Sequence, residues 1–402
     1  MRSDMNELRA FPVPRSCPFS APREYAAVGA EQVRLPTGRR AWVVTGYEAV
    51  RALLADRRLS ADVRHTNFPA LATGEQEVGA RTRPFIRMDP PEHTSHRRML
   101  LPEMTVRKAR AMRRTVQRVV DERVDELLRH GPPVDLLTQF AHTVSSTVMC
   151  EMIGVRRSDP WFRRITGALG SQQIGGGGSD ARTATEGLDA LFDVFDGLVT
   201  ERERDPGEDL LSRLIVEHLH TGAVRRDDLL ATVAITVVAG RETTTSMIGL
   251  SVLALLDDDR RLWKQLDADP TLLPAAVEEL LRALSVGDSI ALRVATEDIR
   301  VGDVVIPAGD GVIPLLAGAN HDPTVFADPS VLDFTRERRS HVAFGYGVHQ
   351  CVGQNLARVE LQVALGTLVD RIPTLRLDAE TSALSFRHDA IAYGPDRVPV
   401  RW

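Results

Sequence analysis

The sequence predicts a mainly helical fold with a smaller β-rich part, and three observations lead there. From Arg107 to Leu128 apolar side chains recur at spacings of three and four between charges, the period of a helix with one buried face. Asp227–Asp258 is long enough to cross a whole domain as one helix at about 1.5 Å per residue. Outside these segments, short runs rich in valine and isoleucine bracket turn residues, which is the pattern of hairpins. The 402 residues are 43% hydrophobic and 26% charged, a composition that suits a soluble globular chain and excludes disorder, collagen and coiled coil. Length alone would suggest two or three domains, but no linker interrupts the chain, so residues 1–402 are expected to form a single domain.

Element by element, residues 1–30 carry Pro12, Pro14, Pro18 and Pro22 and are expected to run as irregular chain over a surface. Gln32–Leu35 and Arg40–Val44 flank Pro36-Thr37-Gly38-Arg39 and predict a hairpin. Tyr47–Ala55 follows as a short helix, with Val50, Leu53 and Leu54 at helical spacing. No period persists from Ala61 to Pro91, which predicts a long loop with a function. Pro91 to about Cys150 reads as helical, and the stretch beyond it as irregular, with Gly175–Gly178 making a flexible connection between two helices. Leu188–Arg204, Asp209–His220 and Asp227–Asp258 continue the helical region. Ile299–Val301 and Val304–Ile306 around Gly302-Asp303 predict a compact hairpin. A glycine- and aromatic-rich loop, His341–Gly353, precedes a helix Gln354–Arg371 and a strand-like tail at Val398–Val400.

Charge and cysteine content narrow the function. Fifty basic against 55 acidic residues give a formal charge of -5, so the molecule as a whole has no electrostatic reason to bind nucleic acid. Between His93 and Arg118, however, eight Lys or Arg residues face a single acid, Glu103, which suggests a local docking surface. Cys17, Cys150 and Cys351 are too few and too scattered for a disulfide framework. The start, Met1–Arg15, has charges and prolines where a signal peptide needs an apolar core, and the longest uncharged apolar run, Leu229–Gly240, is too short for a membrane span. A cytoplasmic protein with no membrane contact is expected.

The chemistry concentrates at Phe344-Gly345-Tyr346-Gly347-Val348-His349-Gln350-Cys351-Val352-Gly353. Three glycines let the backbone bend sharply, and Cys351 falls where the next helix begins. A thiol there faces unpaired N–H groups and the positive end of a helix dipole, which should lower its pKa and favour a metal-binding thiolate. A dinucleotide-binding loop is excluded because Gln350 occupies the third glycine position, and a Cys–His nucleophile pair lacks a third partner. A cysteine buried behind a glycine-rich turn remains the plain structural alternative.

Phe344, Gly347, Cys351 and Gly353 resemble the F-x-x-G-x-x-x-C-x-G haem-binding signature of the cytochrome P-450 monooxygenases. Glu279-Leu280-Leu281-Arg282 is similar to the family's Glu-x-x-Arg element; on its own it would be a weak pair on a helix surface, but the resemblance implies a structural network that holds the fold around the haem. Ala239-Gly240-Arg241-Glu242-Thr243-Thr244 matches the family's Ala-Gly-x-Glu/Asp-Thr pattern in the long central helix, where Ala239 and Thr243 share a face and Gly240 permits close approach. The alternative for these threonines is a hydroxyl bonded back to the carbonyl one turn earlier. Arg241 is expected to point elsewhere, with no role assigned.

What the resemblance implies is specific. The fold is a single cytochrome P-450 domain with a smaller β-rich subdomain. The cofactor is heme b, iron protoporphyrin IX, with Cys351 as metal ligand and Phe344, Gly353, Ala239 and Gly240 around it. His93, Arg97, Arg293 and His349 match the basic residues that hold the haem propionates. O2 is co-substrate, Thr243 and Glu242 are the catalytic pair that handles oxygen and protons, and a thiolate ligand favours O–O cleavage. Electrons are expected from NAD(P)H through an external ferredoxin and ferredoxin reductase, docking near Arg107, Lys108, Arg110 and Arg114. Substrate walls would come from the Ala61–Asp89 loop, the connection around Gly175, Val238, Ala239, Ile290, Ala291 and the turn Ile391-Ala392-Tyr393. The expected function is hydroxylation or epoxidation of a sizeable hydrophobic molecule, in the tailoring of a secondary metabolite such as a macrolide or polyketide. Xenobiotic or steroid oxidation, oxidative coupling without oxygen insertion, and haem sensing are the alternatives.

Overall fold

The computed structural model describes residues 8–27, 29–170, 181–337 and 340–402. In chain order its elements are β1 (Gly29–Arg34), β2 (Arg40–Thr45), α1 (Tyr47–Ala55), β3 (Leu59–Ser60), α2 (Glu75–Thr82), α3 (Glu92–Leu100), α4 (Val106–His130) and β4 (Val134–Asp135). Then come α5 (His142–Met152), α6 (Pro160–Gly170), α7 (Ala181–Arg204), α8 (Leu210–Leu214), α9 (Arg226–Ala268) and α10 (Leu273–Leu284). The chain finishes with β5 (Arg293–Ala295), β6 (Ile299–Val301), β7 (Val304–Ile306), β8 (Gly311–Pro314), α11 (Leu316–Asn320), α12 (Gln354–Arg371), β9 (Arg376–Leu377) and β10 (Pro399–Arg401).

The helical mass is organised by α9. Its residues are buried around most of its circumference, as expected for a helix inside the core rather than on a surface. One hydrophobic cluster joins α4, α10 and α12 to the second half of α9 around Trp263, Leu253 and Leu365, and another joins α5, α6 and α7 to its first half around Phe195 and Val237. Asp257–Arg260 leave helical geometry, with positive φ at Asp258, Asp259 and Arg260, so the continuous helix ends there and a shorter one follows. The β part is a five-stranded sheet ordered β1-β2-β8-β5-β3, antiparallel except for the β2–β8 pair, with two small satellites, β4-β10-β9 and β6-β7. Both predicted hairpins form, one with Gly29 opposite Thr45 and the other with Ile299 opposite Ile306.

Several expectations need correction. The Ala61–Pro91 stretch is not all loop: α2 lies within it, opened by Gly74 in the left-handed region. Val78 and Ala80 are its apolar residues, so no period could be read. The helical stretch from Pro91 to Cys150 is broken twice, before Thr105, whose side chain accepts the Lys108 N–H and starts α4, and again at β4. The stretch expected to be irregular before Leu188 carries α6 and the first turns of α7. Gly175–Gly178 lie outside the described residues. Glu279 and Arg282 are no isolated pair on a helix surface but the buried structural network that the resemblance implies. They form a buried pair at 2.8 Å, joined by Arg336 at 3.0 Å and by the Asn320 carbonyl, which stitches α10 to α11 and to the approach of the cysteine loop.

Candidate active site

The cysteine loop is built by two glycines that no other residue could replace without strain. Gly345 and Gly347 have φ of +68° and +74°, and a Cβ at Gly347 would lie 2.5 Å from the Leu54 carbonyl oxygen. The resulting turn returns the Cys351 N–H to the Phe344 carbonyl at 2.9 Å. Cys351 then sits at the start of α12, with the Gly353 and Gln354 backbone N–H groups and the Arg97 and Arg358 cations stabilising its anion. These are the donors the sequence predicts, yet the thiol pKa is raised, not lowered, because burial outweighs them. Cys351 is exposed and lines a cavity.

That cavity gathers most of the predicted site. Cys351, Phe344, Gly353 and His349 form one wall; Ala239, Gly240 and Thr243 form another; His93, Arg97 and Arg293 lie at its edge, and Ile290 and Ala291 close a side. Five predicted residues are not among its lining: Glu242, Val238, Ile391, Ala392 and Tyr393. Val238 packs into the second hydrophobic cluster instead. Glu242 contacts Arg241, whose buried guanidinium also donates to the Leu169 carbonyl at 3.1 Å. Arg241 therefore does point away from the cavity, and it takes the Glu242 carboxylate with it. The Thr243 hydroxyl donates to the Ala239 carbonyl at 2.8 Å, the back-bonded arrangement. Its lone pairs stay free to accept.

Gly240 does allow a close approach, and the approaching group is the Met149 thioether: a Cβ at Gly240 would lie 2.5 Å from its sulfur. Met104, Met149, Met152, Met247 and Val286 line the cavity as well, and none was predicted. Of the Ala61–Asp89 stretch, only Phe85, Ile86 and Arg87 reach it.

The electrostatics of the edge are one-sided. The His93 and His349 rings lie 4.1 Å apart, and both buried nitrogens of His93 lack a hydrogen-bond partner. Burial and the neighbouring cations push His93 down to about 4 and His349 to about 2, so both rings are neutral at pH 7. Arg293 is pushed down to about 10 by burial and by Arg87. Arg87 is paired with Glu75 at 3.1 Å, but among the described residues neither Arg97 nor Arg293 has an ion-pair partner. Two unpaired guanidiniums and two neutral imidazoles with free nitrogens, across an apolar space from a thiol, fit a flat apolar ring that carries carboxylates at one edge and a metal at its centre.

Comparison with known proteins decides the family. A family model described as Cytochrome P450 matches residues 177–375. Vitamin D3 dihydroxylase of Streptomyces griseolus is 43% identical over 98% of this chain and 97% of its own. The chain belongs to the cytochrome P450 family. Among solved structures, this P450 is similar to CYP105N1 of Streptomyces coelicolor A3(2), with 54% identity, 98% of both chains covered and a TM-score of 0.91. It is also similar to the mycinamicin VIII C21 methyl hydroxylase of Micromonospora griseorubida bound to mycinamicin VIII, with 38% identity, 98% and 100% coverage and a TM-score of 0.89. It is a monooxygenase of the bacterial, actinomycete type, in a family whose members use haem, O2 and electrons from NAD(P)H delivered by partners. Among the described residues no helix is long and apolar enough to cross a membrane.

Proposed function

We propose that this P450 hydroxylates or epoxidises a sizeable hydrophobic secondary metabolite, with a macrolide or other polyketide as the favoured class. The observation that carries the reading is one cavity in which a cysteine thiol, a helix-borne threonine and an apolar wall converge. The mycinamicin hydroxylase, similar over 98% of this chain, supports the substrate class, and the same coverage supports reading the chain as a single P450 domain. The vitamin D3 relative favours a steroid-like substrate as the second reading.

In this reading Cys351 would ligate the iron of heme b, and His93, Arg97, Arg293 and His349 would hold its propionates. Phe344 and Gly353 would shape the turn around the group, Ala239 would present a small side chain of α9 to the cavity, and Gly240 makes room for Met149. The bound haem supplies the activation of dioxygen and the transfer of one oxygen atom to substrate. The protein's own residues arrange the rest. With its hydrogen committed to the Ala239 carbonyl, the Thr243 oxygen accepts a proton-bearing partner from the cavity. Glu242 supplies protons to that position after exchanging Arg241 for water, because its carboxylate otherwise faces out of the cavity. Methionine-rich walls exclude water while adapting to substrate shape.

For electron supply, a ferredoxin served by its reductase docks on the face formed by Arg107, Arg110 and Arg114, all exposed on the first turns of α4. Lys108 is half-buried and paired with Glu103 at 3.0 Å. The Asn355 amide donates to the Met104 carbonyl at 3.0 Å, which ties this basic corner to the helix that begins just after Cys351. Cytoplasmic residence follows from dependence on such carriers.

The test is a reaction under labelled dioxygen with reconstituted carriers and a panel of macrolides, polyketides and secosteroids, preselected by the spin-state shift of the Soret band. Label in a macrolide or polyketide product supports the reading. Label only in a secosteroid favours the second, and a coupled product without label refutes both.

A further inference from the structure

The cavity side formed by Val286, Gly287, Ile290 and Ala291 is a turn between α10 and β5, and three points hold it from behind. The Tyr393 N–H donates to the Val286 carbonyl at 2.8 Å. Asp288 accepts the Ala317 N–H at the start of α11 at 2.8 Å, a neutral partner that suits a carboxyl whose pKa burial raises. The third hold comes from the N-terminal segment, in which the sequence analysis marked no functional residue. Arg15, only 9% exposed, donates to the Leu284 carbonyl at 2.7 Å and to the Ser285 carbonyl at 3.1 Å. Those carbonyls end α10, where Ser285 turns into the left-handed region at φ 38° and the negative end of the helix dipole is exposed. The Arg15 guanidinium also lies over the Tyr393 ring, 4.1 Å from its centroid, and the Arg15 N–H donates to His388 Nδ1 at 3.2 Å.

Among the described residues Arg15 is a buried cation with no ion-pair partner, although its charge acts on the nearby Asp288 carboxyl, and its guanidinium is spent on two carbonyls and one ring. Both belong to the supports of the same cavity wall: the carbonyls immediately precede it, and Tyr393 bonds its first residue. We propose that Arg15 is a specificity-determining positioning residue, clamping the Val286–Ala291 wall from outside so that the cavity accepts ligands of one shape. It is not among the residues that line the cavity. The wall has little slack of its own, since a Cβ at Gly287 would lie 2.5 Å from Ile290 Cδ1. A wall fixed before binding loses little entropy when a ligand is pressed against it, whereas a loosened wall must be ordered by the ligand.

The inference rests on the haem-cavity reading, and the test separates the two. Purified holoprotein is titrated with imidazole and with 4-phenylimidazole, following the Soret band. Imidazole reaches the iron with little wall contact, while the phenyl ring must lie against a wall. For Arg15→Ala the expected result is an imidazole Kd within about twofold of the parent and a 4-phenylimidazole Kd raised about tenfold. Arg15→Lys, which keeps the charge but not the fork, should fall between. Equal changes for both ligands, as general destabilisation would give, or no change for either, overturn the proposal. If Arg15→Ala does not fold, Arg15→Lys and Tyr393→Leu carry the same ratio test and the same refuting outcomes. Failure of the parent protein to bind imidazole at all would refute the haem site instead, and would show itself before any variant is made.

Discussion

Glu278 offers a quantitative test of how the cysteine loop is held. Its carboxylate accepts from Arg358 on α12 at 2.7 and 3.1 Å and meets His341 Nε2, at the start of the cysteine loop, at 3.2 Å. Burial raises its pKa, but the bonds from His341 and Arg358 win and hold it at about 2 against an ordinary 4.5. That difference corresponds to about 3 kcal/mol at 1.36 kcal/mol per unit. The side chain is 33% exposed, so solvent screening reduces the expected contribution to about 1–2 kcal/mol. The folded pKa lies below the unfolded one, so the contribution is complete above pH 4.5 and is lost as pH falls through 2. Glu278→Gln should therefore lower the unfolding free energy at pH 7 by about 1–2 kcal/mol. The gap to the parent should close between pH 4.5 and 2. Denaturant titrations of the holoprotein across that range measure it. A gap that persists unchanged at the acid end, or that never exists at neutral pH, would refute the assignment of the carboxylate as the anchor.

Other substitutions probe other parts of the site. Cys351→Ala should abolish the reduced carbon monoxide band near 450 nm, a direct optical reading of thiolate ligation. Thr243→Ala should leave substrate binding intact and divert electrons from product to peroxide, seen as a fallen ratio of product to NAD(P)H consumed. Arg110→Glu with Arg114→Glu should slow carrier-supported turnover several-fold at low salt and much less at high salt. Glu279→Gln leaves Arg282 buried without its partner and should cost about 3–5 kcal/mol, read as loss of folded haem-loaded protein.

What was legible in the sequence was local chemistry. The cysteine loop announced itself because a positive φ and a close backbone approach demand glycine at 345 and 347, and because a thiol at a helix start is a recognisable ligand position. The helices α1 and α12 were legible for the same reason: their boundaries are marked by residues within them. Met149 and Arg15 were not, because each acts on a partner far away in the chain, Gly240 in one case and the end of α10 in the other. Nothing in the sequence around either residue names that partner. The direction of Glu242 was hidden for another reason, since it depends on Arg241 finding a buried carbonyl at Leu169.

Val238 is the instructive case, because the information was present. The cavity-facing residues of α9 are Ile235, Thr236, Ala239, Gly240, Thr243, Thr244 and Met247, which recur at three, four and seven and so trace a single helical stripe. Once Ala239 and Thr243 are placed on that stripe, residues 238 and 242 each fall about 100° back from the next stripe residue and, being four apart, lie together on one flank of the helix. Helix phase therefore keeps both off the cavity stripe; Val238 packs into the apolar cluster, while the contact of Glu242 with Arg241 is set by the tertiary partners of Arg241. Adjacency in sequence to an active residue says little on a helix. With acid and hydroxyl on different faces, the proton relay proposed from Glu242 to Thr243 would need a bridging partner rather than contact, so Arg241→Ala, which frees that carboxylate, should change the rate of proton delivery without changing what the cavity binds. A solvent isotope effect on product formation that matches the parent protein would contradict this.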